Sequence, residues 1–130
     1  MRRGNLHAFD LDSFDLEQLM LDIFPQPITM LPQADIPLEG VTGYLLQGRD
    51  QQVLFMSFVE DVELPAHAHE AQWGIVLEGK IDMVIGGEEF TFTRGDRYFI
   101  PEGVEHSGLI HAGYADITYF DAKERYMAKQ

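Results

Sequence analysis

Beyond Pro37 the chain is a succession of short runs of β-forming residues, each soon closed by a glycine, a proline or a small polar residue. That rhythm constrains the fold more than any other feature. Helices need longer uninterrupted periods, and parallel sheets need helical runs between their strands. Val41 to Gln47 and Val53 to Val59 are rich in β-formers, and Trp73 to Leu77 is another apolar run. Lys80 to Ile85 and Glu88 to Thr93 flank Gly86-Gly87, a pair suited to the positive φ angles of a tight hairpin turn. Arg97 to Ile100 precedes Pro101, and Ser107 to His111 and Tyr114 to Phe120 flank Ala112-Gly113. Short strands punctuated in this way predict an all-β sandwich or barrel, and a double-sheet jelly roll is one way to close them over one core.

Helical spacing occurs only at the two ends. Leu16, Leu19, Met20 and Ile23 fall at i, i+3, i+4 and i+7, so Phe14 to Phe24 is expected to be a short N-terminal helix whose apolar stripe docks on the body of the domain. Asp12 or Ser13 is placed to cap it, and Pro25 ends it. Pro25, Pro27, Pro32 and Pro37 then hold the chain extended. Ala122 to Met127 is expected to form a closing helical turn. With 130 residues there is room for one domain. The division expected is a helix and extended arm over residues 1–35 and a barrel over residues 36–130.

Charge narrows the function classes. Nine Lys and Arg stand against 22 Asp and Glu, a net charge of −13. Such an anion repels phosphate backbones and anionic headgroups, and the basic residues form no stripe that would overcome it, so neither nucleic acid nor membrane is expected as a partner. The chain has no cysteine, which removes disulfides and thiolate metal sites. No run approaches the ~20 apolar residues of a membrane span, and Asp10 and Asp12 interrupt the segment after Arg2-Arg3, so a cytoplasmic location is expected.

Chemistry concentrates in the histidines, His7, His67, His69, His106 and His111. In a strand, His67 and His69 share a face and can point at one spot. His7 and His111 read as ordinary surface or satisfied residues. The segment from His67 runs His-Ala-His-Glu-Ala-Gln72-Trp-Gly-Ile-Val-Leu-Glu-Gly79. Downstream stands Gly95-Asp-Arg-Tyr-Phe-Ile-Pro101-Glu-Gly103-Val-Glu-His106. These resemble the two motifs of the cupin family, G-x5-H-x-H-x3,4-E-x6-G and G-x5-P-x-G-x2-H-x3-N, over about Val53 to Phe120. The resemblance implies a double-stranded β-helix barrel with His67, His69 and His106 as ligands of one divalent transition metal (Zn, Ni, Mn, Fe or Cu). The chain departs from the motifs at Asp61 in place of the leading glycine, at Ile110 in place of the final Asn, and at Gln72 where the family carries a Glu ligand. Gln72 is the expected fourth ligand, on a loop one residue shorter than usual.

Four neutral ligands would leave the metal's full charge available to a carboxylate or enolate and to the polarisation of a carbonyl. The small cupins that linearise unsaturated uronates in pectin degradation are similar in metal set. Their last-strand Asp-x-Phe-x3-Arg run is met here by Phe120, but by Thr118 and Glu124 at the Asp and Arg positions, with Arg125 one step on. Asp116, on the same strand face as Thr118 and Phe120, is the candidate catalytic proton carrier. Trp73 is expected to face away from the metal and to serve packing. The function expected is a Lewis-acid isomerase, epimerase or lyase acting on a small oxygenated anion such as a sugar acid. The alternatives are an iron- or copper-dependent dioxygenase and a small-ligand binding module without turnover. Val53 to Val59 looks apolar on both faces, so a homodimer is expected.

Overall fold

A computed structural model describes residues 23–130. The stripe expected over Phe14 to Phe24 lies almost wholly outside these residues, as does His7. Among the described residues the chain forms nine strands: β1 (Val41–Gln47), β2 (Gln52–Phe58), β3 (Val62–His67), β4 (Gln72–Glu78), β5 (Lys80–Ile85), β6 (Glu88–Thr93), β7 (Arg97–Ile100), β8 (His106–Ile110) and β9 (Tyr114–Phe120). Its one described helical element is a 3₁₀ turn at Ile28–Met30. None of the described helices is long and apolar enough to cross a membrane.

The strands make two antiparallel sheets, ordered β1-β2-β9-β4-β7 and β3-β8-β5-β6. The chain crosses between them from β2 to β3, from β3 to β4, from β4 to β5 and again around β7 and β8. This is the jelly roll anticipated from the strand rhythm. Alternation along each strand fixes which side chains enter the barrel. On β2, Leu54, Met56 and Phe58 are buried, while Val53 and Phe55 are only half-buried on the other face. On β9, Tyr114, Asp116, Thr118 and Phe120 all point inward. The β5–β6 turn takes Gly86 and Gly87 at φ 57° and 87°, a conformation that costs other residues about 1–2 kcal/mol each.

The outer face of the five-stranded sheet carries an apolar row across every strand. Leu46, Val53, Tyr119, Trp73 and Phe99 are successive register partners. Phe99 is 57% and Leu46 47% exposed, and Trp73 lies on this outer face rather than in the cavity. In the next row Phe24 packs edge-on against Tyr44 and Phe55, with ring centroids 6.3 and 5.7 Å away.

Two local expectations are corrected. Ala122 to Met127 is not a helical turn. It runs through bends into an extended pairing, in which Ala128 bridges Ala34, the Asp35 N–H donates to the Met127 carbonyl at 2.7 Å and the Lys129 N–H to Gln33 at 2.8 Å. That pairing satisfies backbone groups of both arms, which an isolated helical turn would leave to water. The strand expected to carry His67 and His69 is β3, which begins at Val62, ends at His67 and fills one edge of the four-stranded sheet.

Candidate metal centre

His67 ends β3 and His106 begins β8, and the two are register partners. The pairing is irregular between Leu64 and His67, where Pro65, which has no N–H to give the ladder, sits on an edge strand that tolerates it. His69 does not share a strand with His67 as expected. β3 stops at His67, and His69 lies in the connection to β4. Its ring still joins the others. The His67–His106, His69–His106 and His67–His69 ring centroids are 4.2, 4.9 and 5.1 Å apart, and the candidate ligand nitrogens all lie within 4.8 Å of one another.

The hydrogen bonds of the rings say which nitrogens are free. Nδ1 of His67 donates to the Pro65 carbonyl at 2.8 Å, Nδ1 of His69 to Glu70 at 2.8 Å, and Nδ1 of His106 to Val104 at 3.0 Å. A carbonyl only accepts, so each Nδ1 carries the proton and each neutral ring keeps its lone pair on Nε2. Nε2 of His69 and of His106 is buried without a partner. Burial lowers the pKa of both rings, and the charge of Arg125 lowers it further, which favours the neutral, ligating form. Three imidazoles oriented by backbone, two of them with an orphaned buried nitrogen and all with candidate ligand nitrogens within 4.8 Å of one another, fit a divalent transition metal.

Gln72 starts β4 and lines the same cavity as His67 and His106. Its Nε2 donates to the Tyr98 hydroxyl at 3.3 Å, which leaves Oε1 as the uncommitted atom of the amide. Tyr98 can lie there because its register partner is Gly74, where a Cβ would come within 2.5 Å of the Tyr98 ring. Beside Tyr98 stand the Thr118 and Tyr114 hydroxyls. Tyr114 donates to Oδ2 of Asp116 at 2.7 Å, while Oδ1 of Asp116 is buried without a partner. Burial pushes the Asp116 carboxyl up to about 6, against the pull of its bonds to Tyr114 and Thr118. A polar column therefore runs from Gln72 through Tyr98 to Asp116 along one wall.

The cavity as a whole measures about 80 Å³, and away from these polar groups it is lined largely by apolar side chains. Arg125 and Tyr126 close its mouth. The Arg125 guanidinium lies 4.6 Å from the Tyr126 ring centroid and 5.6 Å from that of Phe120, and its Nε is buried without a partner. The buried Gln52 holds this arm in place. Its Nε2 donates to the Tyr126 carbonyl at 2.8 Å and its Oε1 accepts from the Tyr126 N–H at 3.0 Å.

Sequence reasoning passed over Tyr98 and Gln52. Tyr98 was open to the alternation rule, since it shares its strand face with the inward Ile100. No local signal marks Gln52, whose partner is 74 residues away. His111 stays outside the cluster. Its Nε2 bonds Oδ2 of Asp82 at 2.7 Å on the outer face. Asp61, in the place of the motif's leading glycine, accepts the Ala112 N–H at 2.8 Å and so caps the β8–β9 turn.

A family model described as Cupin domain matches residues 56–122. None of the curated proteins matches the chain. Among solved structures it is similar to KdgF from a Halomonas species, at 20% identity and TM-score 0.61 over 71% of this chain and 86% of that one. An RmlC-like cupin from Shewanella frigidimarina gives 24% identity and TM-score 0.62 over 72% and 86%. Oxalate decarboxylase from Bacillus subtilis gives 20% and 0.58 over 71% of this chain and 27% of that one. At these identities the likeness is one of fold.

Proposed function

This chain belongs to the cupin domain family, and from that premise we propose that it is a metal-dependent Lewis-acid enzyme, an isomerase, epimerase or lyase of a small oxygenated anion. One observation carries the reading. Three imidazoles with their Nδ1 atoms held by backbone carbonyls bring their candidate ligand nitrogens within 4.8 Å of one another, and two of them, His67 and His106, line a cavity that also holds Gln72 and a buried carboxyl.

His67, His69 and His106 would hold the metal, with Oε1 of Gln72 as the fourth ligand. A divalent ion bound there would supply Lewis-acid polarisation of a carboxylate or carbonyl oxygen. The protein's own groups do the remainder. Arg125 sets a second positive charge at the mouth, and the amide of Gln72 adds no negative charge, so the site attracts an anion although the whole chain is acidic. Asp116, with a carboxyl poised near neutrality, holds or releases a proton at its free Oδ1. The apolar walls keep bulk water from that carboxyl.

Elemental analysis of protein purified without added metal tests the first step, with about one equivalent per chain expected. Asp116→Asn is expected to remove turnover of a keto-acid or uronate panel and to leave ligand affinity nearly intact. Oxygen uptake matching product one for one would replace this reading with the dioxygenase. The outer row from Leu46 to Phe99 supports pairing of two copies through the five-stranded sheet. Light scattering at micromolar concentration is expected to give a dimer mass, and a clean monomer overturns that pairing.

A further inference from the structure

We infer, resting on the reading of the site just given, that its ligand is a short aliphatic oxo acid: one carboxylate, one carbonyl and a plain hydrocarbon body of a few carbons. The sugar acids suggested by the sequence resemblance are the wrong shape of polarity for this cavity.

The walls decide this. Met56, Leu64, Ile81, Met83 and Ile110 face the enclosed space from β2, β3, β5 and β8, and Leu38 faces it from the arm. The cleft outside the mouth is walled by Pro37, Leu38, Leu64 and Pro65 as well. A hydroxyl set against such a surface loses its water and gains no partner, at roughly 1–3 kcal/mol each. The polar atoms still free inside are few. The three Nδ1 atoms are committed to carbonyls, Nε2 of Gln72 to Tyr98, and Oδ2 of Asp116 to Tyr114. What remains is the histidine nitrogens and Oε1 of Gln72, which would face the metal, with Arg125 beside them, and Oδ1 of Asp116 on the facing wall. A ligand matched to that pattern has oxygens at one end, where they meet positive charge, and one more polar group or acidic C–H within reach of Asp116. Between them it is apolar.

Size points the same way. The inner cavity is narrow, about 80 Å³, and shares Leu38, Leu64 and His67 with the outer cleft of about 510 Å³. A plain hydrocarbon body can enter such an apolar neck with no hydroxyl to desolvate, whereas a hexuronate carries an oxygen on every carbon.

The test is a ligand series on the full chain loaded with Co(II), read by calorimetry and by the visible bands of the metal. Affinity is expected to rise from pyruvate to 2-oxobutanoate to 2-oxopentanoate by roughly fourfold per methylene, the equivalent of ~0.8 kcal/mol for each buried CH₂. D-galacturonate is expected to bind at least tenfold more weakly than the best of these. A flat series, or galacturonate as tight as the oxo acids, overturns the inference while the oxygenated-anion reading stands. If no acid of either kind releases heat or moves the Co(II) bands, the anion reading falls and takes the inference with it.

Discussion

The two ends of β8 each present a histidine, and the fold uses them in opposite ways. His106 begins the strand, is 4% exposed, and turns a buried Nε2 with no partner toward two other imidazoles. His111 follows the strand on the other face of the sheet, half in solvent, and its Nε2 is already taken by Asp82. Sequence proximity and residue type are the same. The difference lies in what each Nε2 meets. At the surface, a histidine nitrogen satisfied by a carboxylate has no further chemistry to offer. In the barrel, Val104 takes the Nδ1 proton and nothing takes the other nitrogen, a state that burial makes costly unless a ligand completes it.

The largest expected effect tests the inner end. His106→Ala should reduce stoichiometric metal to a tenth or less of the parent's, measured by elemental analysis after purification and dialysis. The ring cannot be replaced by a neighbour, because His67 and His69 are the only other described histidines near enough. Metal retained at the parent's level would mean that His106 resembles His111 after all.

The contrast between these two histidines was legible in the sequence only in part. The strands were readable because β-branched and aromatic runs end at glycines with positive φ, such as Gly86, Gly87, Gly95 and Gly113. The convergence of His67 and His106 was implied by the resemblance to the cupin motifs. The position of His69 along the chain was not. The alternation rule placed it on the strand of His67, whereas the strand ends at His67 and the turn brings His69 back to the same point. The mouth was illegible for a different reason. Tyr126, and with it Arg125, is held there by Gln52, a partner 74 residues away along the chain. The closing turn expected in that arm depended on local spacing, and long-range pairing with Gln33 and Asp35 prevailed.

Next in size is the buried carboxyl on the facing sheet, which carries to an acid the comparison between buried and surface groups. Asp116 is held at about 6 from an ordinary 3.8, chiefly by burial. Its folded pKa lies above the unfolded one, so the folded state binds the proton more tightly. Below about pH 4 both states are protonated and the group is neutral toward folding. As pH rises from about 4 to 6 the unfolded chain ionises first, and stability falls by up to about 3 kcal/mol, then stays level. Asp116→Asn removes that dependence. Urea unfolding of variant and parent at pH 4 and pH 7 should show the variant gaining on the parent at the higher pH. A difference independent of pH would show that Asp116 ionises as freely as a surface carboxyl.

Gln72→Glu is expected to act on ligand rather than on metal. A carboxylate in place of the amide cancels part of the positive charge facing the anion and should weaken 2-oxobutanoate by about tenfold in calorimetry, a modest Coulombic change for a site walled from water. Metal content should remain at the parent's level. Loss of metal together with ligand would mean that the neutral amide, through its bond to Tyr98, positions the site itself.

The smallest expected effect is at the outer end of β8. The Asp82 carboxyl is held below its ordinary value, first by the hydrogen bond from His111 and then by that from Thr91. A carboxyl lowered in the fold contributes stability that is present above its unfolded pKa and is lost as pH falls through the folded value. Removing the larger of its two partners should therefore cost something only above about pH 4, and the cost should vanish in acid. The Asp82 side chain is 42% exposed, and ion pairs this open to solvent contribute little and are screened by salt, so His111→Ala should leave the unfolding midpoint close to the parent's even at pH 7. Metal content should not change at all. A fall in bound metal in this variant would break the comparison more sharply than any change in stability, because it would mean that the surface pair at one end of β8 helps set the ring at the other.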